Sequence, residues 1–388
     1  MKPYRNRDQF LVFGSPAIEE EEITEVVSVL RSGWLGTGPK VAAFERDFQS
    51  YKGANHAIAV SSATAALHLS FIAAGLKRGD EVITTANTFC ATVNAIIHAG
   101  ATPVLVDIDP VTCNIDVSKI EAAVTERTRA ICPVHYAGLS CEMDEIERIA
   151  KKHGLLIVED CAHAIETQYK GRQVGTVGDF GCFSFYVTKN VVTAEGGMII
   201  TREEQCADRL KILALHGMTK DAWKRFGDAG YKHYQVVEAG FKYNMTDIQA
   251  ALGIHQLARV EKNWLRRKEI WEIYSERLKG VPVGLPAPAN EGDRHACHLF
   301  PIRVNPANTG IARDDFLNEM TVRKIGVGVH YLSIPEHPFY QKEFGWLPDT
   351  FPEAKQFGRE TVSLPLSAKL TDDDLEDVIL AIEDILGS

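Results

Sequence analysis

The eight cysteines (Cys90, Cys113, Cys132, Cys141, Cys161, Cys182, Cys206 and Cys297) never form a CxxC pair or join a metal-ligand cluster. This excludes a sequence-local zinc site or dithiol redox motif, and scattered thiols inside apolar runs predict reduced, buried cysteines in a cytoplasmic protein. Basic charge is scarce. Lys and Arg number 42 against 52 Asp and Glu, a formal charge of −10, so the basic face of a general nucleic-acid binder is missing. Anionic small substrates stay open, because a few basic residues in one cleft suffice. No apolar run reaches the ~18 residues a membrane span needs. The opening MKPYRNRDQFLVFGSPAIEEEE has neither an apolar core nor a small-residue cleavage site, so no signal peptide is predicted. Internal repeats and low-complexity segments are missing too. What remains is an ordinary globular mix, 45 % hydrophobic and 24 % charged over 388 residues, long enough for a large core in two or three domains.

The arrangement of apolar runs predicts the architecture. Ser15-Pro16 reads as a helix start, followed by Ile23, Val26, Val27 and Leu30 at helical spacing and a stop at Ser32-Gly33. Short apolar runs then mark strands at 57–60, 81–84, 103–106, 130–134, 155–158, 182–185 and 197–200. Helix-length stretches such as 65–74, 91–99, 118–125 and 142–153 separate the first six. That alternation predicts an α/β fold, a mostly parallel sheet with helices on both faces. The runs CFSF and GMII lie too close for a helical crossover and should pair antiparallel. Past Asp247 a long helical stretch runs to about Lys279 with a break near Glu261. A strand at 298–304, a helix over 313–323 and a closing helix over 372–386 follow. The expected division is a large domain, 1–261, and a smaller C-terminal α+β domain, 262–388.

Three segments carry chemistry. In GCFSFYVTKNVVTAEGGMII, Lys189 follows a buried strand after a short turn. A lysine at the mouth of a sheet with few charges nearby is a candidate for a lowered pKa and imine chemistry, the alternative being a solvated loop lysine. In LLIVEDCAHA a buried strand ends in Glu159-Asp160, where open α/β sheets bind ligands, unless the acid merely caps a helix. Lys189 lies about one helix-and-strand excursion beyond Asp160. A lysine and a carboxylate so placed suggest pyridoxal phosphate, which needs an amine to bond to and a carboxylate to keep its ring nitrogen protonated. In AIAVSSATAALHLS, strand, small hydroxyl residues and helix follow in order. Around Ala63 and Thr64 this offers free N–H groups to a phosphate without the P-loop pattern, although a simple helix cap has the same look. Phe89, after another strand, could stack on a ring or belong to the core.

With SGWLGTGPK, HAIAVSSAT, PVHYAG, VEDCAHAIETQYKGRQVGTVGDF, FSFYVTKN, AEGGMI, GFKYNM and KIGVGVHYLSIPEHPFY together, nearly the whole chain resembles the DegT/StrS-type sugar aminotransferases. These are pyridoxal-phosphate enzymes of the aspartate-aminotransferase fold. The pattern is closest to the member forming UDP-4-amino-4-deoxy-L-arabinose. The resemblance implies that Lys189 bonds the cofactor, Asp160 pairs with its ring nitrogen, His163 sits near its ring oxygen and Phe89 stacks on its face. Ala63, Thr64 and Ser184 would hold the phosphate, with Asn244 reaching it from the neighbouring subunit of a homodimer. Gly36, Thr37 and Gly38, with Tyr186, His330 and Tyr331, would meet the sugar nucleotide. The implied reaction moves the amino group of glutamate through pyridoxamine phosphate to a 4-keto sugar nucleotide, UDP-linked as in that relative, with no role for nucleic acid, membrane or metal. Amination at C3 is the other regiochemistry. Sugar 3-dehydratases share the scaffold but replace the lysine by His, and a non-catalytic relative would be expected to lose Asp160 or Lys189. Two positions depart from the family pattern: Tyr186 stands where many relatives have His, and YLSIPEHPFY lacks the arginine of the arabinose enzyme.

Overall fold

A computed structural model describes residues 7–219 and 234–387. The strands in chain order are β1 (His56–Val60), β2 (Glu81–Thr85), β3 (Thr102–Val106), β4 (Thr128–Cys132), β5 (Leu156–Asp160), β6 (Gln168–Tyr169), β7 (Arg172–Gln173), β8 (Phe180–Ser184), β9 (Gly197–Thr201), β10 (Phe300–Arg303) and β11 (Thr361–Leu364). Seven of them form one sheet in the order β1-β9-β8-β5-β4-β2-β3. β9 runs antiparallel to both neighbours, and every other adjacent pair is parallel. The expected α/β class and the antiparallel CFSF–GMII pair are both present. Strand alternation sends Ile58, Val82, Val158 and Ile199 to one apolar layer and Ala59, Ile83, Ile157 and Met198 to the other. A further core surrounds the antiparallel pair β10–β11 and the helix Asp372–Leu386, whose Leu375, Val378, Ile379 and Ile382 are buried as their spacing predicts.

Some boundaries differ from the sequence pattern. The first helix begins at Glu20, not at Ser15-Pro16. Glu19 and Glu22 form a reciprocal capping box, and buried Glu22 also receives Gln256 Nε2 at 2.7 Å and the Arg259 guanidinium. A distant helix thus sets the start. Ile23 and Leu30 of this helix face outward, while Val29 is buried. The stop is as expected: Gly33 takes the left-handed cap conformation at φ 73°. The stretch 118–125 is helical only over Val117–Ile120, followed by a tight turn at Glu121–Ala123. Of the long helical stretch, Asp247–Ala258 and Val260–Arg277 meet at Arg259. Most of the polar stretch 217–238 lies outside the described residues.

β5 occupies the middle of the sheet and ends in two buried carboxylates. Glu159 points away from the cavity described below. Its oxygens accept Gly175 N–H at 2.7 Å, Gly178 N–H at 2.6 Å and His135 Nε2 at 3.0 Å. Cys141 N–H points at His135 Nδ1 (3.1 Å), so the imidazole proton sits on Nε2 and the histidine donates to Glu159 while neutral. These donors hold the carboxyl below its ordinary range against the opposing effect of burial, which is the larger single influence. They also lay the 174–181 loop flat on β5. A Cβ at Gly178 would lie 2.7 Å from the Ile157 carbonyl oxygen, so only glycine permits the approach.

Truncating Glu159 to Ala would strand three buried N–H donors, a loss of about 3 kcal/mol or more. The expected outcome is a clear fall in the urea midpoint of unfolding; an unchanged midpoint would show that this carboxylate does not hold the loop.

Candidate active site

The carboxyl ends of β5 and β8 and the N-terminal end of the helix Ala63–Ala73 open on a cavity of about 560 Å³. Asp160 enters it from the face opposite Glu159. Oδ2 accepts from Thr92 Oγ1 at 2.8 Å and Oδ1 from Ala162 N–H at 3.1 Å, and each oxygen keeps a lone pair for another donor. Thr92 is oriented in turn by Thr88 at 2.7 Å. Burial raises the Asp160 pKa, while the Thr92 hydroxyl, the Ala162 N–H and the Lys189 charge act in the opposite direction. Lys189 lines the same cavity after the turn that ends β8, with its N–H on the Tyr186 carbonyl at 2.8 Å. Burial pushes its amine down to about 8, although the Asp160 charge opposes the shift.

The residue after Lys189 is fixed from below. Asn190 Nδ2 donates to Glu166 at 2.8 Å and to the Ala296 carbonyl at 3.2 Å, leaving Oδ1 to accept from His298 Nδ1 at 3.0 Å. Glu166 is itself held by the buried Arg267 guanidinium. The Lys189 turn thus rests on a buried ion pair that no local sequence feature announces.

The turn before the helix Ala63–Ala73 has the features of an anion cradle. Ser62 caps Ala65 N–H at 3.0 Å, while the amides of Ala63 and Thr64, in the first turn, have no helical acceptor. Thr64 and Ser184 add hydroxyls to the same wall. β9 presses against this turn through Gly197, where a Cβ would come within 2.5 Å of the Ser62 carbonyl. That close approach accounts for the second glycine of the AEGG segment.

Phe89, His163, Tyr186, His330 and Tyr331 also line the cavity, so ten of the residues selected from the sequence meet in one place. Gly36, Thr37, Gly38 and Asn244 do not. Thr37, Gly38 and Asn244 border a separate cleft of about 340 Å³ beside β1. There Asn244 Nδ2 donates to Thr37 Oγ1 at 2.7 Å, and Lys242 Nζ donates to Asn244 Oδ1 at 2.6 Å. The carbonyl of Gly36 accepts Asp247 N–H at 3.0 Å, and the Asp247 carboxylate caps the helix Pro39–Lys52 through Gly38 N–H and Val41 N–H. Sequence reasoning missed Thr88, Thr92 and Glu195 on the cavity wall. Glu195 belongs to AEGGMI, a segment that enters only through the family resemblance. The threonines belong to TTANTFCAT, where only Phe89 drew attention.

The cavity fits pyridoxal phosphate on its own chemistry. Asp160 offers a buried carboxylate to a ring nitrogen, Lys189 a desolvated amine to the aldehyde, and the Ala63–Thr64 amides with two hydroxyls a seat for a phosphate.

Comparison with known proteins points the same way. Residues 16–383 match the model of the DegT/DnrJ/EryC1/StrS aminotransferase family. The chain is 47 % identical over 384 residues to the spore coat polysaccharide biosynthesis protein SpsC of Bacillus subtilis, covering 98 % of each. Among solved structures it matches the putative sugar aminotransferase Spr1654 of Streptococcus pneumoniae, solved in its PLP form, at 35 % identity and a TM-score of 0.90 over 97 % of this chain and 99 % of that one. It also matches PseC of Helicobacter pylori, an aminotransferase involved in the biosynthesis of pseudoaminic acid, at 29 % identity and a TM-score of 0.90 over 98 % of this chain and all of that one. The chain therefore belongs to the DegT/DnrJ/EryC1/StrS family of sugar aminotransferases, which depend on pyridoxal phosphate, the cofactor whose chemistry the cavity's lysine and aspartate suit.

Proposed function

We propose that the protein transfers the amino group of glutamate to a 4-keto sugar nucleotide, UDP-linked, and that it works in the cytoplasm as a homodimer with shared sites. The observation that carries the reaction is the joint presence of Lys189 and Asp160 in one cavity. A 3-dehydratase of the same scaffold would lack the lysine, so retention of Lys189 favours amine transfer. Amino-sugar formation is also in keeping with the biosynthetic roles named for SpsC and PseC.

The bound cofactor supplies an electron sink and carries the amine from donor to acceptor. The chain's residues do the rest. Ionised Asp160 holds a proton on the ring nitrogen. Lys189 Nζ, brought to about 8 by burial, is near enough to neutrality to take a proton from a substrate carbon and return it. Ala63, Thr64 and Ser184 seat the phosphate, and Phe89 packs on the ring. Tyr186 and His330 line the approach for the sugar. Asn244, which borders another cleft than Lys189 in its own chain, reaches the phosphate in the partner's site, and Gly36, Thr37 and Gly38 lie at the sugar-nucleotide entrance.

The direct test is to load the protein with pyridoxamine phosphate and offer UDP-, dTDP- and GDP-linked 4-keto sugars, with product mass and NMR identifying nucleotide and carbon. Amination at C4 of a UDP sugar is expected; a C3 amine or a deoxygenated sugar would replace the reading. Lys189→Ala should abolish turnover while the fold survives, and activity within about tenfold of the parent would remove Lys189 from its role. Asp160→Asn should be nearly as damaging, because an amide cannot supply the charge that keeps the ring nitrogen protonated. Steady-state rates of the Asn variant decide the point, and normal transamination would show that the ring lies elsewhere. Mixing Lys189→Ala with Asn244→Ala subunits tests the shared site: one site of each mixed dimer carries both lesions and the other is intact. About one quarter of parent activity should return after random exchange. No gain in verified mixed dimers would separate Asn244 from the partner's site.

A further inference from the structure

Two threonines on the cavity wall carry a hydrogen-bond chain that can run only one way. Thr88 and Thr92 stand four residues apart across the start of the helix Cys90–His98, and both are buried. Thr92 Oγ1 lies 2.8 Å from Asp160 Oδ2, and Thr88 Oγ1 lies 2.7 Å from Thr92 Oγ1. A helical threonine often turns its hydroxyl back to a carbonyl of the preceding turn. This one reaches a side chain 68 residues along the chain instead. An ionised Asp160 has no proton to give, so Thr92 donates to it. The Thr92 proton is then in use, and the contact with Thr88 must be a donation from Thr88. A protonated carboxyl would remove that requirement, because its own proton could go to Thr92 and reverse the order. The chain therefore favours the carboxylate. It does so where charge is otherwise costly: burial is the largest single influence on Asp160 and opposes its ionisation. The other titratable groups facing Asp160 are Lys189, whose charge favours ionisation, neutral His135, and Cys132, Cys161, Cys182 and Tyr331, which burial keeps protonated. Glu159 points to the opposite face of the strand and is held by its own donors.

We propose that Thr92 is a positioning residue for Asp160, and Thr88 for Thr92: the two hydroxyls form a one-way donor chain that keeps Asp160 a charged acceptor for the ring nitrogen of the bound cofactor. With Oδ1 on Ala162 N–H and Oδ2 on Thr92, the carboxylate is oriented at both oxygens before anything binds. The ring nitrogen rests on the functional reading above; the donor chain does not.

The first test needs no cofactor. In the cofactor-free protein with 13C-labelled aspartate carboxyls, the Asp160 signal is assigned by its loss in Asp160→Asn and followed against pH. Thr92→Val keeps the shape of the side chain and removes the hydroxyl. The Asp160 midpoint should rise by about one unit or more, and Thr92→Ser should hold it at the parent value. Thr88→Val should raise it by less, roughly a few tenths of a unit, because it only weakens the donation from Thr92. It should add nothing in a Thr92→Val background. An unchanged midpoint in Thr92→Val would overturn the proposal. Equal effects of Thr88→Val in both backgrounds would break the chain, since Thr88 would then act by another route. Should Thr92→Val fail to fold, Thr88→Val decides alone, and no rise there would overturn the proposal. The second test uses protein loaded with cofactor carrying 15N at the ring. In Thr92→Val the ring resonance should move toward that of an unprotonated pyridine, and kcat should fall about tenfold with KM for glutamate unchanged. Thr92→Ser should recover both. A ring nitrogen as protonated in Thr92→Val as in the parent would overturn the role toward the cofactor. A parent chain that binds no cofactor would instead defeat the functional reading, and the carboxyl titration would still decide the donor chain.

Discussion

Two adjacent carboxylates at the end of the central strand organise this molecule. A strand sends neighbouring side chains to opposite faces, so Glu159 and Asp160 cannot share an environment although both are buried. Glu159 is surrounded by three N–H donors and stays ionised as a structural anchor. Asp160 receives only one hydroxyl and one amide, and its remaining acceptor capacity faces the cavity. The anchor lays the 174–181 loop on β5 and leads the chain into β8, at whose end the turn delivers Lys189. The geometry of the site therefore depends on a carboxylate that takes no part in its chemistry.

Burial works against charge on both members of the Asp160–Lys189 pair, raising the acid's pKa and lowering the amine's. Lys189 is also the one lysine or arginine among the described residues that line the cavity. A bound phosphate must then be met chiefly by the helix N-terminus, two unpaired amides and the Thr64 and Ser184 hydroxyls. Such a seat binds through preformed dipoles and adds no further cation beside an amine whose lowered pKa the reaction uses. The three histidines nearby fit this picture: His163, His298 and His330 all titrate far below neutrality and act as neutral, oriented donors and acceptors.

Much of the site was legible because its chemistry comes from sheet ends. A buried apolar run followed by Glu-Asp, another followed by a lysine, and a third followed by Ser-Ser-Ala-Thr place their functional residues at the same edge once the strands are parallel, and ten of the selected residues do meet there. Resemblance supplied what periodicity could not, notably His330 and Tyr331, which arrive from the far C-terminal part of the chain. Thr92 and Glu195 went unnoticed because a threonine near a helix start and an exposed glutamate have no distinguishing pattern. Nothing in the sequence shows that Asn244 borders a different cleft from Lys189 in its own chain.

The sequence by itself determined the α/β class, the antiparallel return of GMII, the extent of the closing helix and the cofactor chemistry, since each follows from a local pattern of apolar residues or from a small set of side chains with one common use. The tertiary structure decided whatever depends on a partner distant along the chain. It moved the first helix to Glu20 through contacts with Gln256 and Arg259. It set the Lys189 turn on the Glu166–Arg267 pair and chose which of two neighbouring carboxylates faces the cavity. It also turned the Thr92 hydroxyl to Asp160, a side chain 68 residues along the chain. Local patterns record what a residue can do, whereas the direction of a hydrogen bond depends on where the other group stands, and only the folded chain brings the two together.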